Sequence, residues 1–170
     1  NKYILHKKLT APYYQPIPKN LRNSKGDYKL TPSTDGRFWN KMDFENRPVS
    51  NVKSQDTTVT FTETNGKVEL NINVLGPAGV PVTLELCFAE GGKLSGVTAA
   101  DSGNNFLAKD FGTYQMGEDA ISFGPGLATH KNITNLEGEK YSTHFGSLKT
   151  DGMYVYITGV TPFSHTLLFS

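Results

Sequence analysis

A chain of 170 residues with 17 Lys plus Arg, 16 Asp plus Glu and a formal net charge of +1 has the size and charge balance of one folded domain. Hydrophobic residues at 36% and charged residues at 19% make it too apolar for disorder, and 17 Gly with 9 Pro make it too turn-rich for a helix bundle. Collagen, coiled coil, disulfide scaffold and polybasic nucleic-acid binder are thereby excluded, and no run approaches the roughly 20 apolar residues of a membrane helix.

Charge is divided unevenly along the chain. Residues 1–53 carry 11 Lys or Arg and 4 Asp or Glu (net +7), whereas residues 54–170 carry 6 and 12 (net −6). The first segment also holds Pro12, Pro16, Pro18, Pro32 and Pro48 without a sustained apolar period, so it reads as a basic, Pro-rich arm or linker that packs on the domain following it. Its lysines are dispersed rather than run together, which argues against nucleic acid as a partner. The absence of an initiator Met and of an apolar signal core is what a mature or a trimmed chain would show.

Strand patterns begin at Thr57. Val59 and Phe61 alternate with threonines, Asn65-Gly66 supplies a type I′ turn, and Val68, Leu70, Ile72 and Val74 continue the alternation. A two-residue turn sets Phe61 opposite Leu70 and Val59 opposite Ile72, and sends Glu69, Asn71 and Asn73 to the other face. A third strand follows over Val82 to Phe88, with Thr83, Glu85 and Cys87 on the face away from Leu84 and Leu86. Cys87 is the only cysteine, so no internal disulfide forms, and its default role is that of a small buried hydrophobe. Short strands are expected over Phe106–Phe111, Tyr114–Met116 and Ala120–Phe123. A hairpin is expected around Asp151-Gly152, with Leu148 opposite Val155, and a last strand over His165–Phe169. Turns every 8 to 12 residues or so predict an all-β fold. The expected architecture is a two-sheet antiparallel β-sandwich of jelly-roll type over residues 54–170.

No nucleophile elbow, phosphate loop or dinucleotide fingerprint is present. Glu85, Glu90 and the Glu118-Asp119 turn are not brought into a facing pair by any sequence relation, so a two-carboxylate glycosidase centre is not indicated. Aromatic side chains make up 11%, and exposed rings serve as platforms for the apolar faces of sugars. Trp39, Tyr154 and Tyr156 are the candidates for glycan contact, with packing under a second sheet face as the competing role for the two tyrosines.

The segment from Gly117-Glu118-Asp119 through the Ala120–Phe123 strand to Pro125 and His130 resembles the second motif of the cupin jelly rolls. Gly126 stands one position early, Thr134 occupies a position where that family has Asn, and the paired histidines of the first cupin motif are absent. The resemblance implies, as an alternative function, a cupin-like isomerase or lyase holding a divalent metal with His130, His144, His165 and Glu85. The three histidines lie 14 and 21 residues apart, without the closely spaced ligand pair typical of a structural metal site.

A second resemblance covers about half of the chain. Pro81-Val82-Thr83-Leu84-Glu85-Leu86, Glu90-Gly91-Gly92, Phe123-Gly124-Pro125-Gly126 with His130, Tyr156-Ile157-Thr158-Gly159 and Thr161-Pro162-Phe163-Ser164-His165 together resemble a C-terminal β-sandwich module of secreted polysaccharide-degrading proteins, heparinase II/III-like lyases among them. The resemblance implies an accessory domain outside the cytoplasm, with no catalytic residue and no cofactor of its own. Its partners would be a polysaccharide or oligosaccharide, or a catalytic domain of the parent protein.

Overall fold

The hairpin around Asn65-Gly66 forms as the alternation and the Asn-Gly turn dictate. In the computed structural model, which describes residues 1–21, 44–100, 105–133 and 152–170, Asn65 and Gly66 both take positive φ, 51° and 75°. Phe61 pairs with Leu70 and Val59 with Ile72. The strands in chain order are β1 (Lys2–Tyr14), β2 (Val49–Thr64), β3 (Lys67–Leu75), β4 (Pro81–Phe88), β5 (Lys93–Ser95), β6 (Thr98–Ala99), β7 (Asn105–Phe106), β8 (Gly112–Met116), β9 (Asp119–Gly124), β10 (Met153–Val160) and β11 (Phe163–Phe169). Helix among the described residues is limited to two single 3-10 turns, Lys19–Leu21 and Phe44–Asn46. No helix among these residues is long and apolar enough to cross a membrane.

Among the described residues these strands form two sheets, a seven-stranded one in the order β1-β2-β3-β11-β9-β8-β5 and a four-stranded one in the order β4-β10-β7-β6. Most strand pairs are antiparallel; β7 runs parallel to β10. The fold is thus an all-β, two-sheet sandwich, as the turn spacing predicts. Ile72, Val74, Phe123, Phe163 and Leu167 from the larger sheet meet Val155 and Ile157 from the smaller one in the main core, with Leu107 between strands. Met153, Val155 and Ile157 share the inward face of β10, as their spacing requires. The first arm of the hairpin expected there, Leu148 to Asp151, lies outside the described residues.

The described chain forms two compact units, Asn1–Lys8 with Gln55–Ser170 and, separately, Leu9–Ser54. In the first unit, Asn1 exchanges a bond with Glu63, whose N–H donates to the Asn1 carbonyl at 2.9 Å and whose carboxylate accepts from the Asn1 amide at 3.0 Å. In the second, Tyr14 packs on Phe44 with ring centroids 4.5 Å apart, Arg47 stacks 5.6 Å over the same ring, and the Gln15 side chain donates to Ser50 Oγ at 2.7 Å. The start of the chain is therefore strand, where its sequence shows no period. Lys2 to Lys8 lie exposed, so nothing forces their side chains to alternate.

Three local expectations are corrected. Over Phe106–Phe111 only Phe106 is strand, as the second residue of β7. Here Phe106 and Leu107 enter different clusters, Phe106 beside Tyr156 and Leu107 in the main core. Strand β2 starts at Val49 rather than Thr57. Cys87 is exposed rather than buried, because β4 keeps strict alternation and places it with Glu85 on the face away from Leu84 and Leu86. Gly152 lies close by, and a Cβ there would come within 2.6 Å of Cys87 Sγ.

Candidate functional site

On the outer face of the small sheet, the register sets Glu85 directly opposite Tyr156 and Cys87 opposite Tyr154. Tyr156 is 0% exposed and forms a second small cluster with Phe106 and Ile133. Tyr154, half-buried, lies nearly parallel to it at 6.4 Å between centroids. Because Tyr156 is covered, its ring offers no open platform for a sugar. Its hydroxyl donates to the Glu85 carboxylate at 3.2 Å. Burial, reinforced by the neighbouring Glu85 charge and that hydrogen bond, holds the phenol well above the usual tyrosine range. Trp39 lies outside the described residues.

The cover over Tyr156 is fastened by His130. Its backbone N–H donates to Thr158 Oγ1 at 3.3 Å, and that hydroxyl donates to the His130 carbonyl at 2.8 Å. The imidazole Nδ1 accepts from the Asn132 N–H at 3.2 Å, which leaves the proton on Nε2 to be donated to the Val82 carbonyl at 3.1 Å. Both ring nitrogens are thus engaged with backbone. His165, on β11 in the other sheet, has its Nε2 2.8 Å from the Pro125 carbonyl and its ring tilted against Phe163. His144 lies outside the described residues. No group of three His, Cys, Asp or Glu suited to a metal occurs among the described residues.

The hydroxyl of Tyr156 gives this side of the sandwich an alkaline signature. A tyrosine exposed in the unfolded chain ionises near pH 10, while Tyr156 in the fold keeps its proton to higher pH. Between those points the unfolded state binds fewer protons, so stability is intact below about pH 10 and falls as pH rises beyond it. Denaturant unfolding at pH 9, 10 and 11 should show a decline that includes one extra linked proton, and Tyr156→Phe should remove that share of the slope. A variant slope equal to the wild-type slope would contradict this assignment.

The outer face of the larger sheet is built differently. Pairing sets Thr58, Asn73 and Ser164 in one row across β2, β3 and β11, and Thr60, Asn71 and Thr166 in the next. A third row holds Thr62, Glu69 and Leu168. Side chains of the second and third rows are linked: Thr166 Oγ1 donates to Asn71 Oδ1 at 2.7 Å, and Asn71 Nδ2 donates to Glu69 Oε1 at 2.6 Å. This chain of bonds fixes the amide orientation of Asn71 and anchors one oxygen of Glu69. The other oxygen, Oε2, has no hydrogen-bond partner among the described residues.

The third row opens into a groove of about 510 Å³ at the turn end of the hairpin, lined by Thr62, Thr64, Lys67, Glu69, Phe111 and Leu168 among others. That volume is within the range of small-molecule sites. Phe111 is 47% exposed and Leu168 40%. Gly124 makes room for them. It pairs with Leu168 at φ 149°, and a Cβ there would stand 2.7 Å from the Asp110 carbonyl and 3.0 Å from the Phe111 ring. Tyr154, Tyr156, His130 and His165 do not line this groove, which the sequence reading does not anticipate. Its signal was the alternate threonines at 58, 60, 62 and 64, which mark a polar strand face.

Comparison with protein-family models, with curated proteins and with solved structures finds no match.

Proposed function

We propose that the chain is a non-catalytic accessory β-sandwich, of jelly-roll type, in an extracytoplasmic carbohydrate-processing protein, and that it acts by contacting glycan. The observation that supports this is the pair of rows, Thr58-Asn73-Ser164 and Thr60-Asn71-Thr166, made only of threonine, asparagine and serine on the outer face of the seven-stranded sheet. A regular surface of hydroxyls and amides can donate to and accept from sugar hydroxyls, and it ends in a groove with apolar sides. The divalent-metal alternative asks more of the fold, since His130 must give up the Asn132 hydrogen bond before its Nδ1 can bind an ion.

A second mode, docking on a catalytic domain of the parent protein, has its own support. Among the described strands β1 is the outermost of the larger sheet, and Tyr3, Ile4 and Leu5 on it are each about three-fifths exposed. An uncovered apolar edge favours a protein partner.

The test of glycan contact is native electrophoresis through gels containing soluble β-glucan, xylan, galactomannan or polygalacturonate, with assay of the same mixtures for newly released reducing ends. Retardation in at least one gel without release of ends is the expected result. Unchanged mobility in all of them defeats the proposal.

A further inference from the structure

Resting on the glycan-contact reading, we infer that the groove at the hairpin end of the larger sheet is a subsite for an uncharged pyranose of a polysaccharide chain. Charge balance is the first argument. Lys67 and Glu69 line the groove as one cation and one anion, and the rows beyond it, Thr60, Asn71, Thr166 and then Thr58, Asn73, Ser164, carry no charge at all. An anionic chain laid along these rows of β2, β3 and β11 would meet one ammonium, that of Lys67, with a carboxylate beside it. A neutral chain meets donors and acceptors throughout.

The second argument is the division of labour inside the groove. Phe111 and Leu168 present exposed apolar surface on one side, the kind of surface that covers the C–H face of a pyranose ring. On the other side, Thr62 lies opposite Glu69. The Glu69 carboxylate is held by Asn71, which is held in turn by Thr166. Its second oxygen is therefore an oriented acceptor, which lowers the ordering cost of binding a sugar hydroxyl. The Lys67 ammonium has no hydrogen bond or ion pair among the described residues and supplies donors to ring and hydroxyl oxygens.

The decisive comparison uses the full chain and its variants Phe111→Ala and Lys67→Met in the same gels of β-glucan, xylan, galactomannan and polygalacturonate, with dissociation constants taken from mobility against polysaccharide concentration. Phe111 is half exposed and Lys67 sits beside a solvent-facing turn, so circular dichroism and thermal unfolding of both variants should match wild type. The expected result is retardation by a neutral polysaccharide, weakened about tenfold or more by Phe111→Ala and severalfold by Lys67→Met. Retardation by a neutral polysaccharide that neither variant weakens overturns the subsite while leaving glycan contact standing. Retardation by polygalacturonate alone overturns the uncharged ligand. Unchanged mobility in every gel overturns both the subsite and the reading on which it rests.

Discussion

Replacing Phe123 with alanine is expected to cost about 3–5 kcal/mol of folding free energy, the range for deleting a buried aromatic ring from a packed core. Phe123 is 0% exposed and lies where β9 meets both β8 and β11, opposite Gly112 and Phe169. Its ring centroid is 4.7 Å from that of Phe88, which reaches in from the smaller sheet. Gly112 is shaped around it, since a Cβ there would stand 2.6 Å from the ring edge. No neighbour is positioned to collapse into the space, because the strands on both sides are tied by their own ladders. Urea unfolding of wild type and Phe123→Ala measures the difference, and a loss below about 1 kcal/mol would mean that the site relaxes far more than ordinary cores do.

Thr161→Val should destabilise by roughly 2–3 kcal/mol, while Thr161→Ser should stay within about 1 kcal/mol of wild type. Valine matches threonine in shape, so the comparison isolates the hydroxyl. Thr161 is 3% exposed and occupies the corner between β10 and β11. Its hydroxyl donates to the Pro77 carbonyl and accepts from the Val80 N–H at 3.0 Å. Its backbone N–H donates to the Val80 carbonyl at 2.9 Å, and its carbonyl accepts from Gly79 at 2.8 Å. One residue, through its side chain and both of its backbone groups, thereby holds the 77–80 turn against the corner. Valine would leave a donor and an acceptor unsatisfied together, and such groups cost more than the bond itself contributes. Equal stability of the valine and serine variants would show that solvent reaches both atoms.

What the sequence discloses follows how strongly one face is buried. The β2–β3 hairpin is legible because one face of each strand is buried against the core and an Asn-Gly pair fixes the turn, leaving a single register. Strand β1 is not legible, because Tyr3, Ile4 and Leu5 are all exposed and no core selects between alternate positions. Cys87 shows two local rules in conflict. Residue type favours burial and strand parity favours solvent, and parity prevails because β4 is paired along its whole length with β10.

The candidate site was less legible for a different reason. Tyr154 and Tyr156 have the outward parity of surface residues, but Ile133, far away in sequence, is brought beside Tyr156 by the bonds of His130 to Thr158 and Val82. That covering is a non-local event with no trace in the strand pattern. The groove is non-local in the same way. Phe111 reaches it only because Gly124, which pairs with Leu168, has no side chain to obstruct it.

The positions of β10 and β11 bear on how the chain acquires its structure. These two strands come last among those described, yet β11 lies between β3 and β9 and β10 lies between β4 and β7. Each sheet is therefore in two pieces until residues 153–169 have been made, and the register of β10 with β4 joins residues 65 to 79 positions apart. Loops of that length close slowly, and a ribosome must deliver nearly the whole sandwich before its middle strands arrive. The partial chain meanwhile carries open strand edges on both halves, a state prone to aggregation. Folding should accordingly be a late, concerted event, and a fragment covering residues 1–152 should lack the cooperative thermal transition of the intact chain.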